Sequence, residues 1–328
     1  MRRVTTYLLV SVLWNSFAPA WAALEVLEPG YTVQTYANYS APGLASPGYM
    51  AFDDVGNLYV AHSYSNSIWR VQLDRMAEIL VSGIQTPYGI VWAGGTDYGD
   101  SLYVGAYRQI ARLEPSGAIT KFADGFPLGG GAVTIDRAGD YGGYLYLTTG
   151  GQDHIYRVNT NGDVTMFSTW PGWTDGGGPF DIAFDLGTEY GGLMYVATTF
   201  GSGNSDVSGV FTLDVSGEAS RFADDMVAAH YLAFDYTGIL GGGMFISGTP
   251  VFGQPDSVWR ATPDGTTSEF ARSTIASPCG LTFGPDGAMY IAEYLASSQT
   301  VTISRVTPEP ATAILLGLGA LGLLRRRQ

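Results

Sequence analysis

The chain has 328 residues, of which 16 are basic and 30 acidic, giving a formal charge of −14. Such a surface repels nucleic acid phosphates and anionic lipid, so both are excluded as partners of the main body. The single cysteine, Cys279, permits no internal disulfide, and with no His or other base beside it in SPCGLTF it reads as a small buried hydrophobe rather than a nucleophile.

The first 22 residues, MRRVTTYLLVSVLWNSFAPAWA, carry two arginines, an apolar stretch and small residues at Ala20 and Ala22. That layout predicts a cleaved signal peptide over 1–22 and hence export. A body over 23–306 follows. GYTVQTYANY, residues 30–39, alternates like a strand. Then one phrase recurs six times, from PGYMAFDDVGNLYVAHSYSNSIWRVQ to PCGLTFGPDGAMYIAEYLASSQTVTISRV. An aromatic marks each copy, at Tyr59, Tyr103, Tyr146, Tyr195, Phe245 and Tyr290, spaced by 43 to 50 residues, the length of a four-stranded propeller blade.

Within each copy the segments are short, β-branched and aromatic, and no stretch keeps helical periodicity for three turns, so the fold class is all-β. In the second copy the strands are expected as A over Gly89 to Trp92, B over Leu102 to Ala106, C over Ile110 to Leu113 and D over Ile119 to Phe122. EPSG, TNGD, VSGE and PDGT form the C-to-D turns, with glycine supplying positive φ. They lack the spaced carboxylates and terminal glutamate of a calcium loop. The sixth copy stops at Val306 without a D strand, and residues 30–39 match the D phrases, so the N-terminal strand is expected to complete the last blade of a six-bladed ring.

The chain ends TPEPATAILLGLGALGLLRRRQ. Fourteen apolar residues from Ala311 to Leu324 span about 21 Å as a helix, short of a ~30 Å hydrocarbon core, and three arginines hold the far end on the cytoplasmic side. This segment, 307–328, is expected to cross the membrane as a short helix.

Pro308, Glu309 and Pro310, the apolar helix, and Arg325, Arg326 and Arg327 together resemble the PEP-CTERM sorting signal of Gram-negative bacteria. The resemblance implies recognition by an exosortase, cleavage near the Pro-Glu-Pro, and transfer from a membrane-anchored precursor to the envelope surface or extracellular matrix. A retained C-terminal anchor is the alternative. The repeat resembles the propellers of the NHL, gluconolactonase and streptogramin-lyase group, a scaffold that hosts enzymes and binding modules alike.

On such a propeller the D-to-A and B-to-C loops surround one mouth of the central channel, and here they include the longest connections. Trp170 and Trp173, in TWPGWTDGGGP, suit stacking on a sugar or a protein partner, or packing on their own blade. Repeat alignment puts Tyr49, Tyr88, Asp181, His230 and Tyr231 at the entries to inner strands and Glu293 at the sixth B-strand outlet. Asp181, His230 and Glu293 read either as a metal or acid-base cluster or as a polar lining without chemistry. His62 belongs at the same mouth, and His154 in a loop.

Gluconolactonase-like relatives imply a metal held by a first-blade glutamate and later Asn or Asp; here ASPGYM, PYG and PCG stand at those entries, so no metal or cofactor is expected. Lyase-like relatives imply a histidine and a glutamate, which His230 and Glu293 echo faintly. The expectation is a non-catalytic module that binds an envelope or matrix glycan or protein. The alternative is a lactonase- or lyase-like enzyme at the channel mouth.

Overall fold

The structure is a computed structural model that describes residues 24–41, 47–127, 130–149, 154–169, 178–187, 189–199, 208–223, 225–226, 228–249, 254–273 and 276–309. The expected signal peptide, Trp170, Trp173, Pro310 and the apolar tail with its arginines lie outside these residues. Among the described residues all regular structure is β-strand, and no helix is long and apolar enough to cross a membrane.

In chain order, β1 (Leu24–Val26) and β2 (Tyr31–Ser40) precede the repeats. The first repeat holds β3 (Pro47–Phe52), β4 (Leu58–His62), β5 (Ser67–Val71) and β6 (Ala77–Ser82). The second holds β7 (Ile90–Trp92), β8 (Leu102–Ala106), β9 (Gln109–Leu113) and β10 (Ile119–Asp124), within two residues of the expected bounds. The third holds β11 (Val133–Ile135), β12 (Leu145–Thr148), β13 (His154–Val158) and β14 (Val164–Thr169). There follow β15 (Gly178–Phe184), β16 (Met194–Thr199), β17 (Gly209–Leu213) and β18 (Ala219–Ala223), then β19 (Ala228–Phe234), β20 (Met244–Thr249), β21 (Ser257–Ala261) and β22 (Thr267–Ser273). Last come β23 (Pro278–Phe283), β24 (Met289–Leu295) and β25 (Thr300–Pro308).

Each of the first five repeats is an antiparallel meander of four strands. The β15–β18 and β19–β22 meanders are joined by the single pair Thr199↔Ala228. The last sheet runs β2-β25-β24-β23, so the N-terminal strand supplies its outer edge, as the missing D strand required. Sequence reading missed β1, which caps the outer edge of β22 from Leu24↔Ser273 to Val26↔Ala271. It also ended β25 at Val306, whereas the strand continues: Thr307 pairs with Thr32, Pro308 with Tyr31, and the Glu309 N–H donates to the Gly30 carbonyl at 2.8 Å. Pro308, the first residue of the Pro-Glu-Pro, is therefore the last residue of the sheet, and Glu309 is tied to Gly30 just beyond it.

Inner strands β3, β7, β11, β15, β19 and β23 each contact the next, and β23 contacts β3, so the series closes on itself around a channel. The marker aromatics Tyr59, Tyr103, Tyr146, Tyr195 and Phe245 are essentially fully buried between sheets. Two repeated devices hold the A-to-B turns. Asp136, Asp185 and Asp235, each buried where an inner strand ends, accept N–H groups from the turn that follows, as Asp136 does from Gly139, Tyr141 and Gly143. The tyrosine of the turn then reaches the next sheet: the Tyr141 hydroxyl donates to the Leu213 carbonyl and accepts from the Met194 N–H, and Tyr98 and Tyr190 do the same one sheet before and after. At the C-to-D turns Gly162 and Gly265 have φ of 85°, and a Cβ there would lie 2.5 and 2.1 Å from the carbonyls of Phe122 and Phe222 in the preceding sheets. Glycine is needed for both conformation and contact.

Candidate functional site

At the end of the channel where the inner strands begin, rings from three sheets meet. The Tyr49 ring lies 4.8 Å from Tyr231 edge-on and 6.4 Å from Phe180, and Phe180 meets Tyr231 at 5.7 Å. The Tyr49 hydroxyl donates to the Phe180 carbonyl at 2.7 Å. That bond runs from β3 to β15, across the ring, with two sheets between them on either side. Tyr88 is half-buried beside the group, close enough that its phenol adds to the upward push on Tyr49 and Tyr231. Burial, more than any neighbour, raises both of those phenols well above their usual value.

Asp181 is 5% exposed beneath these rings. Its Oδ1 accepts the Ile182 N–H and its Oδ2 the Leu232 N–H, both at 2.7 Å. Desolvation lifts its carboxyl to about 7 despite these two bonds and the nearby Tyr49 hydroxyl. The second oxygen thus serves the free edge of β19, a group that water or a side chain has to satisfy.

The other expected site residues go elsewhere. His230 sits 5.4 Å from the Phe180 ring, and its Nδ1 lies 3.3 Å from Asp256 Oδ2, forming a pair beside the cluster. Glu293 is 2% exposed on β24, where its Oε2 accepts the Ser304 hydroxyl at 3.1 Å and burial raises its carboxyl. His62 is fully buried, with its Nε2 at 2.9 Å from the Tyr39 hydroxyl. Among the described residues no three His, Cys, Asp or Glu side chains could hold a metal ion.

The channel opens in the other direction, toward the A-to-B turns, and sequence reading did not anticipate it. A cavity of about 380 Å³ runs from Tyr49 and Asp181 to Arg137, Leu186 and Tyr236, and a vestibule of about 390 Å³ continues it past Asp54, Thr237 and Pro285. Shared walls are Phe52, Trp92, Phe234, Tyr236, Phe283 and Arg137. Five of the six inner strands end in an aromatic, with Ile135 in the sixth. The signal was present, since AFD recurs at 51–53, 183–185 and 233–235. Arg137 donates to the Trp92 and Gly94 carbonyls, and the Tyr236 hydroxyl donates to the Phe184 carbonyl. Tyr236 is ringed by protein yet 53% exposed, because the opening admits solvent.

Residues 306–328 match the family model of the PEP-CTERM protein-sorting motif. The C-terminus is a PEP-CTERM signal. Proteins that carry it are exported as membrane-anchored precursors and recognised by an exosortase. A comparison with curated protein sequences found no match. Among solved structures, a gluconolactonase from Xanthomonas campestris is 12% identical with a TM-score of 0.64, covering 89% of this chain and 96% of its own. Virginiamycin B lyase from Staphylococcus aureus is 12% identical at a TM-score of 0.56, covering 85% and 100%. An auxiliary nutrient binding protein from Bacteroides thetaiotaomicron is 13% identical at 0.58, covering 84% and 76%. At these identities the likeness shows the fold alone, a β-propeller, and the fold serves lactonase, lyase and binding protein equally.

Proposed function

We propose that this chain is an exported six-bladed propeller, released at the envelope surface or into the extracellular matrix after exosortase cleavage, and that it binds a glycan or protein there without catalysis. The observation that carries the non-catalytic reading is the Tyr49 to Phe180 bond over Asp181. The groups best placed for chemistry at that end bond to one another and to strand edges, and Asp181 spends both carboxylate oxygens on backbone N–H groups. Trp170 and Trp173, which lie outside the described residues, are proposed from the sequence alone as contacts for a large partner. The alternative, lactonase- or lyase-like chemistry, has the His230–Asp256 pair in its favour, a base with its orienting carboxylate.

A glycan array, a pull-down from the envelope fraction and turnover assays on gluconolactone and a streptogramin B peptide separate the two. Retention of a glycan or protein without turnover is the expected outcome. Turnover that His230→Ala abolishes would replace the binding reading with the enzymatic one.

A further inference from the structure

We propose that the cavity on the A-to-B turn side is a binding site for a neutral, ring-shaped polyol, a saccharide unit; this rests on the binding reading above and gives it a place and a ligand class. The inner strands turn their unpaired edges to the channel. In β15, for example, Asp185 bonds back to Leu193 through its N–H, which leaves the carbonyl of the preceding Phe184 facing inward, where Tyr236 takes it. The corresponding residues Phe52, Ile135, Phe234 and Phe283 stand at the same level on their own strands. Backbone donors and acceptors are thus set in a wall otherwise made of aliphatic side chains and, at the level of the strand ends, aromatic rings. An apolar ligand would strip water from those edges without replacing its bonds; hydroxyls both donate and accept, and sugar ring faces stack on aromatics.

Charge narrows the class further. Arg137 already spends two guanidinium nitrogens on the Trp92 and Gly94 carbonyls and has Asp54 beside it, so no cation is left free for an anion, and the chain as a whole is acidic. One donor is unspent. Trp92 Nε1 is buried and has no partner among the described atoms. Trp92 and Asp54 both line the vestibule, and a Cβ on Gly94 would stand 2.2 Å from the indole nitrogen and 2.3 Å from Asp54 Oδ2, so glycine lets the indole N–H and the carboxylate pack close together against its backbone. Vestibule-lining indole N–H and carboxylate groups side by side suit the hydroxyls of a polyol, which can accept from the one and donate to the other. The 380 Å³ of the inner cavity falls within the usual range of small-molecule sites, about 300–1,000 Å³.

The test uses the full chain in a detergent without a sugar headgroup. Calorimetry and saturation-transfer NMR are run with methyl glucoside, methyl galactoside, N-acetylglucosamine, maltose and cellobiose. At least one probe is expected to bind with a millimolar Kd or tighter. Leu186→Arg, at an exposed position on the channel rim, should weaken it about tenfold, or about 1.4 kcal/mol. Trp92→Phe, which keeps a ring and removes the N–H, should weaken it several-fold with little change in Tm. If Leu186→Arg leaves affinity intact while Trp170→Ala with Trp173→Ala abolishes it, the cavity proposal is overturned and the binding reading stands. If no probe binds at about 10 mM, the cavity proposal is overturned as well, and envelope pull-down alone then decides the binding reading.

Discussion

Asp181 has a measurable signature. Its carboxyl is raised to about 7 in the folded protein from 3.8 when exposed, so the folded state holds a proton that the unfolded chain releases. Its contribution to stability is therefore full below pH 3.8 and is lost as pH rises through about 7, with a slope of up to about 1.4 kcal/mol per pH unit in between. Denaturant titrations between pH 4 and 7 should show stability from this group falling as pH rises, and Asp181→Asn should flatten that slope. An unchanged slope would mean the carboxylate is solvated. At a second residue, Tyr141→Phe leaves the Leu213 carbonyl and Met194 N–H buried without their shared partner, for an expected loss of about 2 kcal/mol. Urea unfolding would measure it. The sequence offered Asp181 as a polar entry residue but not its role, because repeat alignment gives the level of a residue along its strand and nothing about the direction of its side chain. The same limit hid the reach of Tyr49 across the channel.

Among elements, β2 and β1 make opposite predictions although they are neighbours in sequence. Nine residues of β2 pair with β25, and Tyr39 carries the bond to His62 in the next sheet. A chain lacking 31–39 should lose cooperative unfolding, as followed by near-ultraviolet circular dichroism, because the last sheet then exposes its edge and the ring opens. A chain lacking β1, which only caps β22, should lose little. Full cooperativity without 31–39 would refute closure by this strand. The repeats were legible because each sheet must rebuild the same contacts with its neighbours, which forces Tyr or Phe back to one position and glycine to the C-to-D turns at Gly117, Gly162, Gly217 and Gly265, while Arg75 takes the positive φ in the first. What breaks the repeat was not legible: β1 has only three residues, too few for alternation to register, and a proline at the end of β25 reads as a stop when it stands beside an outer strand that asks nothing of its missing N–H.

For the whole molecule, the level of the sorting motif fixes an orientation. Phe283 on the cavity wall pairs with Met289, and Met289 with Val306, so the C-terminal exit lies two strand spacings, about 10 Å, from the wall of the cavity and on the side toward which it opens. While the tail holds the precursor at the membrane, the cavity mouth should face the bilayer. A cysteine at Ser116, preferable to Gly117 with its φ of 91°, should react poorly with a bulky probe before cleavage and readily after it. Neutralising Arg325, Arg326 and Arg327 should keep the chain from reaching its destination, as read by surface proteolysis and fractionation. Equal labelling in both forms would remove the orientation. The clasp at Pro308 has a mechanical consequence as well. Because β25 lies between β24 and β2, antiparallel to both, a pull on the tail runs along the strand and loads the hydrogen bonds on both flanks together, in shear, rather than peeling them one at a time. Forced unfolding is governed by the unfolding rate, and here it must break two ladders at once. A body tugged by flow or by a bound polymer while still tethered would yield at its anchor before its last sheet came apart.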